Sequence, residues 1–223
     1  MTLLGKQSAA GWAFLTPATI LIAIMAFWPM IQAFIMSLQT GSSANMHWNE
    51  PIFNNYTRMF SDKVFMTSVG NTFLYLVIQV PIMLILAILL AQLLNNQHLR
   101  FKGFFRTCVF LPCATSLVSY ALIFKSLFAT DGLVNAILVN LGILQENYNF
   151  LGNSASAKAV IIIALIWRLT GYNMVFYLAG LQNIEYSVYE AAKIDGANGW
   201  KTFWRITVPL LKPTIIMTFI MSI

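Results

Sequence analysis

Few residues in this chain could do chemistry. Among its 223 residues are 13 Lys and Arg, 7 Asp and Glu, 2 His and 2 Cys. No G-x-x-x-x-G-K-[ST] run is present, so the chain has no loop to cradle a nucleotide's phosphates; H-E-x-x-H and G-x-S-x-G are also missing. Cys108 and Cys113 lie in an apolar run without a histidine beside them, which argues against zinc. Their spacing on one helix turns the thiols to different faces, poor geometry for a disulfide. Enzyme activity therefore has little support, and the informative residues lie elsewhere. From Ile184 to Ala197 the sequence fits a short helix ended by Gly196, a residue that readily takes the left-handed C-terminal conformation. Ala191 and Ala192 carry little side chain, so another protein's backbone can approach them. Trp200, Phe203 and Trp204 with Lys201 and Arg205 read as a second short helix, aromatic inward and basic outward. Pro209 then sets the start of the next element. This pair of helices looks like a docking knob. A plainer alternative stays open: Ser187-x-x-Glu190 fits a capping box, in which Glu190 only reaches back to a backbone amide.

These residues must be positioned by a membrane. Of the chain, 59% is hydrophobic and only 9% charged, with a mean hydropathy of +0.73. Soluble domains carry roughly 25% charged residues, so lipid is the better solvent. A net charge of +6 forms no basic stripe suited to nucleic acid. A bilayer core about 30 Å thick needs roughly 20 apolar residues of helix. The apolar runs place spans at 12–36, 65–94, 107–124 and 159–181, and start a fifth at 208–223. That run leaves ten residues after Pro213, too few to cross, so the sequence reads as truncated at its C-terminus. The first run is too long for a signal peptide and shows no cleavage site. Pro29 is expected to kink it. The whole reads as an all-α polytopic transmembrane bundle forming a single membrane domain over residues 1–223.

Basic residues orient it. With the N-terminus inside, the inner segments carry Lys6, Arg100, Lys102, Arg106, Lys193, Lys201, Arg205 and Lys212 against Glu185, Glu190 and Asp195. The outer segments carry Arg58, Lys63, Lys125 and Lys158 against Glu50, Asp62, Asp131 and Glu146. The segment 184–207 is therefore expected in the cytoplasm, while His47 and His98 fall on opposite sides and share no site. Within the membrane, Arg168 costs about 2.5 to 3.5 kcal/mol to insert and must face protein or water. At 100° per residue, Thr170, Asn173 and Tyr177 share one face of its helix, and Arg168 and Tyr172 another. Asn71 and Gln79 are also polar groups that lipid would leave unsatisfied.

Glu190-Ala191-Ala192, three residues, Gly196, nine residues and Ile206-x-Val208-Pro209 together resemble the EAA loop of ABC importer permeases. Val208 stands where the family usually has Leu, and Glu185 where it often has Pro. The stretch Ala179 to Ile184 matches the approach to that loop. Ile194 to Ala197, Leu111-Pro112 and Ile123 to Phe128 resemble the maltose-type, carbohydrate-importing branch. The resemblance implies a type I ABC importer permease fold in a bacterial plasma (inner) membrane. It also implies a second permease as partner in a heterodimer, an ATPase dimer that binds ATP and Mg, and an extracytoplasmic solute-binding protein. Glu190, Ala191, Ala192 and Gly196 would then couple to the ATPase, with no cofactor in this chain. In that branch the matching helix lines the sugar cavity, with aromatic rings at the positions of Trp167 and Tyr172. Trp167, Arg168, Tyr172, Asn173 and Tyr177 would thus line the sugar's path, aromatic faces meeting sugar C–H groups. It also stays open that Arg168 only pairs with the partner permease and that Trp167 and Tyr172 are packing or belt residues. The alternative is an ATP-independent secondary transporter or channel. It calls for paired intramembrane ionisable residues or inverted repeats, and the sequence has a lone Arg168 and no repeat.

Overall fold

A computed structural model describes every residue except 1, 2, 43, 44, 97 and 98, with residues 3–10 described by backbone alone. His98 thus lies outside the described residues. Contacts divide the chain into two compact units, Met1–Gly70 and Asn71–Ile223.

In the first unit, α1 (Leu3–Ile22) runs through a π turn (Ala23–Phe27) into α2 (Trp28–Ser37). The bend expected at Pro29 takes the form of that wide turn, in which the Trp28 N–H donates to the Ala23 carbonyl. A proline ring crowds the carbonyl four residues back, and an extra residue in the turn relieves the crowding. The polar stretch after α2 is more ordered than its composition indicates. Strands β1 (Gln39–Ser42) and β2 (Asn45–Trp48) pair antiparallel, with Gln39 opposite Trp48, before α3 (Asn54–Ser61). Asn55 Nδ2 donates to the carbonyls of Ser37 and Gln39 at 2.9 Å each, and the Ser37 and Tyr56 hydroxyls meet at 2.7 Å.

Helix α4 (Lys63–Asn95) continues into the second unit, followed by α5 (Lys102–Ala114), α6 (Leu117–Leu127), α7 (Leu133–Asn140) and α8 (Ser154–Gln182). Val80, Met83, Ala87 and Ala91 of α4 lie at helical spacing and form one buried stripe. They join Met174, Tyr177, Leu178 and Leu181 of α8 in the core. The strongest approach is between α8 and α5: a Cβ on Gly171 would run into the Val109 carbonyl and lie 3.1 Å from the Phe110 Cα.

The third expected span, 107–124, is not one straight helix. The helix begins at Lys102 and breaks after Ala114, and α5 and α6 meet at 100°. Thr115 and Ser116 are extended there, and the Ser116 hydroxyl caps α6 by accepting the Ser119 N–H at 3.2 Å. Pro112 lies inside α5, and at the break the Thr115 hydroxyl donates to its carbonyl at 2.7 Å. Between α6 and α8, Asn135 of α7 is fully buried and holds Tyr148 by two hydrogen bonds of 2.9 Å, while its amide also donates to Ala129.

The remainder is α9 (Tyr186–Ile194), α10 (Gly199–Thr202), a second π turn (Phe203–Thr207), α11 (Val208–Leu210) and α12 (Lys212–Met221). Pro209 does not start the last membrane helix, as its position led us to expect. The helix runs through it and breaks at Leu211, with a 65° bend. Pro209 stands two residues beyond its π turn just as Pro29 does, for the same steric reason. Among the described residues, three helices, Gly11–Ser37, Lys63–Asn95 and Ser154–Gln182, are long and apolar enough to cross a membrane. Counting each bent pair as one span makes five.

Candidate functional site: the α9 knob and the polar face of α8

The end of α8 leads directly into α9. Glu185, extended, sits at the N-cap and makes no capping hydrogen bond; the Ser187 hydroxyl donates to its Oε2 at 3.3 Å. The capping box between Ser187 and Glu190 is therefore not formed. The C-terminus closes as a Schellman motif: the Ala197 N–H donates to Ala192 at 2.9 Å, and the Gly196 N–H to Lys193 at 3.1 Å. Gly196 takes φ +71°, which a side chain would strain.

The faces of α9 divide sharply. Ala192 is buried against this chain's own fold, and the Tyr189 hydroxyl meets that of Thr207 at 3.4 Å. Ala192 is thus not offered to another protein, contrary to the sequence reading. Glu190 and Ala191 are exposed, and so is Ile194 at 86%. The second short helix also departs from expectation: only Phe203 turns inward, whereas Trp200 and Trp204 stay exposed. An acidic, small and apolar surface thus stands on a helix whose other side is fastened down.

The five residues assigned to a solute path are not brought together. Asn173 and Tyr177 lie in the interhelix core at 2% and 1% exposure. Asn173 Nδ2 donates to the Leu169 carbonyl at 3.1 Å and approaches Met83 Sδ at 3.5 Å. The Tyr177 and Thr218 hydroxyls meet at 2.8 Å, tying α8 to α12. Gln79, at 3.4 Å from Met83 Sδ, is likewise buried. Asn173 and Tyr177 thus tie α8 to α4 and α12, whereas the Gln79 contact stays within α4. We expect Tyr177→Phe and Thr218→Val each to destabilise the protein by about 1 kcal/mol, with a coupling near ~0.6 kcal/mol in a double-mutant cycle. Thermal unfolding in detergent checks this, and fully additive effects would contradict it.

Trp167, Arg168 and Tyr172 remain on accessible or half-buried positions. Tyr172 packs edge-on against Phe176 at 5.0 Å. Trp167 stacks on Tyr120 at 6.4 Å, nearly parallel, and touches Phe124 at 5.5 Å. The Arg168 guanidinium sits 5.4 Å above the same Tyr120 ring, in cation–π geometry, and its Nε has no hydrogen-bond partner among the described residues. No carboxylate occurs in any of the membrane-length helices, and the Tyr120 ring is what faces the charge among the described residues. Tyr120 escaped the sequence reading; the signal that could have found it was an intramembrane arginine without an acid. Trp167 also lines an apolar groove of about 540 Å³ with Ile82, Leu86, Cys108, Pro112 and Ile163. No cluster of His, Cys, Asp and Glu that could hold a metal occurs among the described residues.

A second cavity, about 870 Å³, opens where α4 ends, α5 begins, α8 ends and α9 lies. Lys102, Arg106 and Lys193 are therefore at one end of the bundle.

Residues 68–223 match the family described as binding-protein-dependent transport system inner membrane component. The chain belongs to this family. The permease is 47% identical over 212 residues to the lactose transport system permease protein LacF of Rhizobium radiobacter, covering 95% of this chain and 70% of that one. It is 33% identical over 224 residues to the arabinooligosaccharides transport system permease protein AraP of Bacillus subtilis, covering 98% and 69%. It also resembles the crystal structure of a bacterial ABC transporter involved in the import of the acidic polysaccharide alginate. There the TM-score is 0.82 at 26% identity, covering 97% of this chain and 73% of the other. The permease is a multi-pass membrane protein with the type I importer fold, in the carbohydrate branch of ABC importer permeases.

Proposed function

We propose that this permease carries a sugar across a bacterial plasma membrane by alternating access, driven by an ATPase that is a separate subunit. The observation that carries the reading is α9: a fastened helix presenting Glu190 and Ala191 outward, with Ala192 and Tyr189 anchoring its back. Glu190 meets a basic group in a cleft of the ATPase, a charge-assisted contact at a partly desolvated interface. Gly196 supports this role by closing the helix. The ATPase dimer holds ATP and Mg, a second permease completes the pore as a heterodimer, and a solute-binding protein delivers the sugar from outside. A crystal structure of the bacterial alginate transporter in complex with a periplasmic protein carrying an alginate pentasaccharide supports the last of these by likeness. Basic residues gathered at the α9 end support a cytoplasmic position for that end, and the charge asymmetry of the sequence supports the same for the N-terminus.

Along the solute's path, Trp167 and Tyr172 offer ring faces, and Arg168, poised over Tyr120, offers donors to sugar hydroxyls. The reading is tested by reconstituting the subunits in proteoliposomes and measuring uptake of lactose and arabinooligosaccharides with and without ATP. Uptake that proceeds without ATP or ATPase would favour a secondary transporter. Within the same assay, Arg168→Gln should lower uptake about tenfold, equivalent to about 1.4 kcal/mol, with assembly intact. Unchanged uptake would remove Arg168 from the path.

A further inference from the structure

The cavity at the α4–α5–α8–α9 end has a chemistry that sugar transport does not use. Lys102 and Arg106 enter it from the first turns of α5 and Lys193 from the last turn of α9. Among the described residues the one carboxylate on its wall is Glu185, which already accepts from Ser187. Three cations against one acid leave the wall two charges positive. None of the three forms an ion pair among the described residues.

Neutral hydrogen-bonding groups surround these charges, among them Gln92, Gln182, Tyr186 and Tyr189. Arg106 Nη2 donates to the Leu94 carbonyl at 3.2 Å, closing the end of α4. Among the described residues its Nε and the Gln92 Oε1 are buried without partners, so neither side chain is fully held against pivoting toward an occupant. Just outside, Phe101, Phe104 and Phe105 are exposed, an aromatic fringe of the kind that sits at lipid headgroup depth.

We propose that this cavity binds a phosphate ester, its oxygens taken by Lys102, Arg106 and Lys193 and its hydroxyls by the neutral rim. A guanidinium matches two phosphate oxygens at once, and two ammonium groups supply point charges for the rest. Bound there, the ester bridges α5 to α9 and braces the helix that carries Glu190, because Lys193 lies on α9 three positions later. Two sources share this chemistry: the headgroup of an anionic phospholipid, and a soluble phosphorylated metabolite.

The test is the melting temperature of the purified, delipidated complex of this chain with its partner subunits. Phosphatidylglycerol, phosphatidylcholine, glycerol 3-phosphate and inorganic phosphate are added in separate arms. A rise of about 3 °C with phosphatidylglycerol over phosphatidylcholine is expected for the lipid source, and a similar rise with glycerol 3-phosphate for the soluble one. The double variant Lys102→Gln/Lys193→Gln, which leaves the Arg106–Leu94 hydrogen bond intact, should lose more than half of that rise. No rise in any arm, or an equal rise in the double variant, would overturn the proposal. The readout is thermal, so a failure of ATP-driven uptake leaves it standing.

Discussion

A Gly171→Leu variant should yield almost no folded protein. The α8 backbone at Gly171 lies so close to α5 that even a methyl group would strike the Val109 carbonyl, with the Val109 carbonyl carbon at 2.8 Å. These are backbone atoms, which cannot swing aside as the end of a side chain can. Overpacking a tight core costs roughly 1 to 3 kcal/mol when side chains can adjust. Here the two helices must separate, and they are the most closely associated pair in the second unit. We expect a loss above about 3 kcal/mol, read as collapse of the monodisperse peak in size-exclusion chromatography after detergent extraction. Gly103→Leu is the control, since nothing lies within 4 Å of a Cβ there. Wild-type behaviour of Gly171→Leu would mean that α5 and α8 do not pack this closely.

The second large effect concerns charge. Glu190→Lys should insert and assemble, yet lower ATP-driven uptake at least about a hundredfold. Truncating one partner of a desolvated charge pair costs roughly 2 to 5 kcal/mol, and reversal adds repulsion. Glu190 is exposed and outside any capping interaction, so the substitution leaves the hydrogen bonds of α9 in place. That separates a coupling defect from a folding defect. ATPase activity that persists while transport stops would identify uncoupling, whereas normal uptake would remove Glu190 from the role proposed for it.

Much of the fold could be read from the spacing of charges. Between Lys63 and Arg100 no ionisable side chain except Tyr75 and His98 interrupts the apolar run, and α4 occupies most of it. The bend between α5 and α6 was hidden because hydropathy averages over a window and ignores direction. Its signal was local: Pro112, then Ser116 with Ser119 three residues on, a stop followed by a cap. The small hairpin at Gln39–Trp48 left no alternating apolar pattern to find.

For the site, the closing of α9 at Gly196 was legible because a positive φ is a property of one residue. The inward turn of Ala192 was not, since two neighbouring alanines look alike until the chain's own packing decides which is covered. The burial of Asn173 and Tyr177 was illegible for a related reason. A polar face on a membrane helix says only that lipid is the wrong neighbour. Whether a sugar or Thr218 answers it depends on α12, whose Thr218 lies 41 residues from Tyr177.

The two π turns carry a consequence for lineage. Each contains one residue more than an α-helix needs, and each precedes a proline that a regular turn would crowd. Removing a single residue between Phe203 and Thr207 would restore a regular turn but rotate the downstream helices by about 100°. Thr218 would then swing away from Tyr177. Gaps between homologous sequences should therefore avoid this stretch and collect in the loops, even though the turn itself seats a surplus residue.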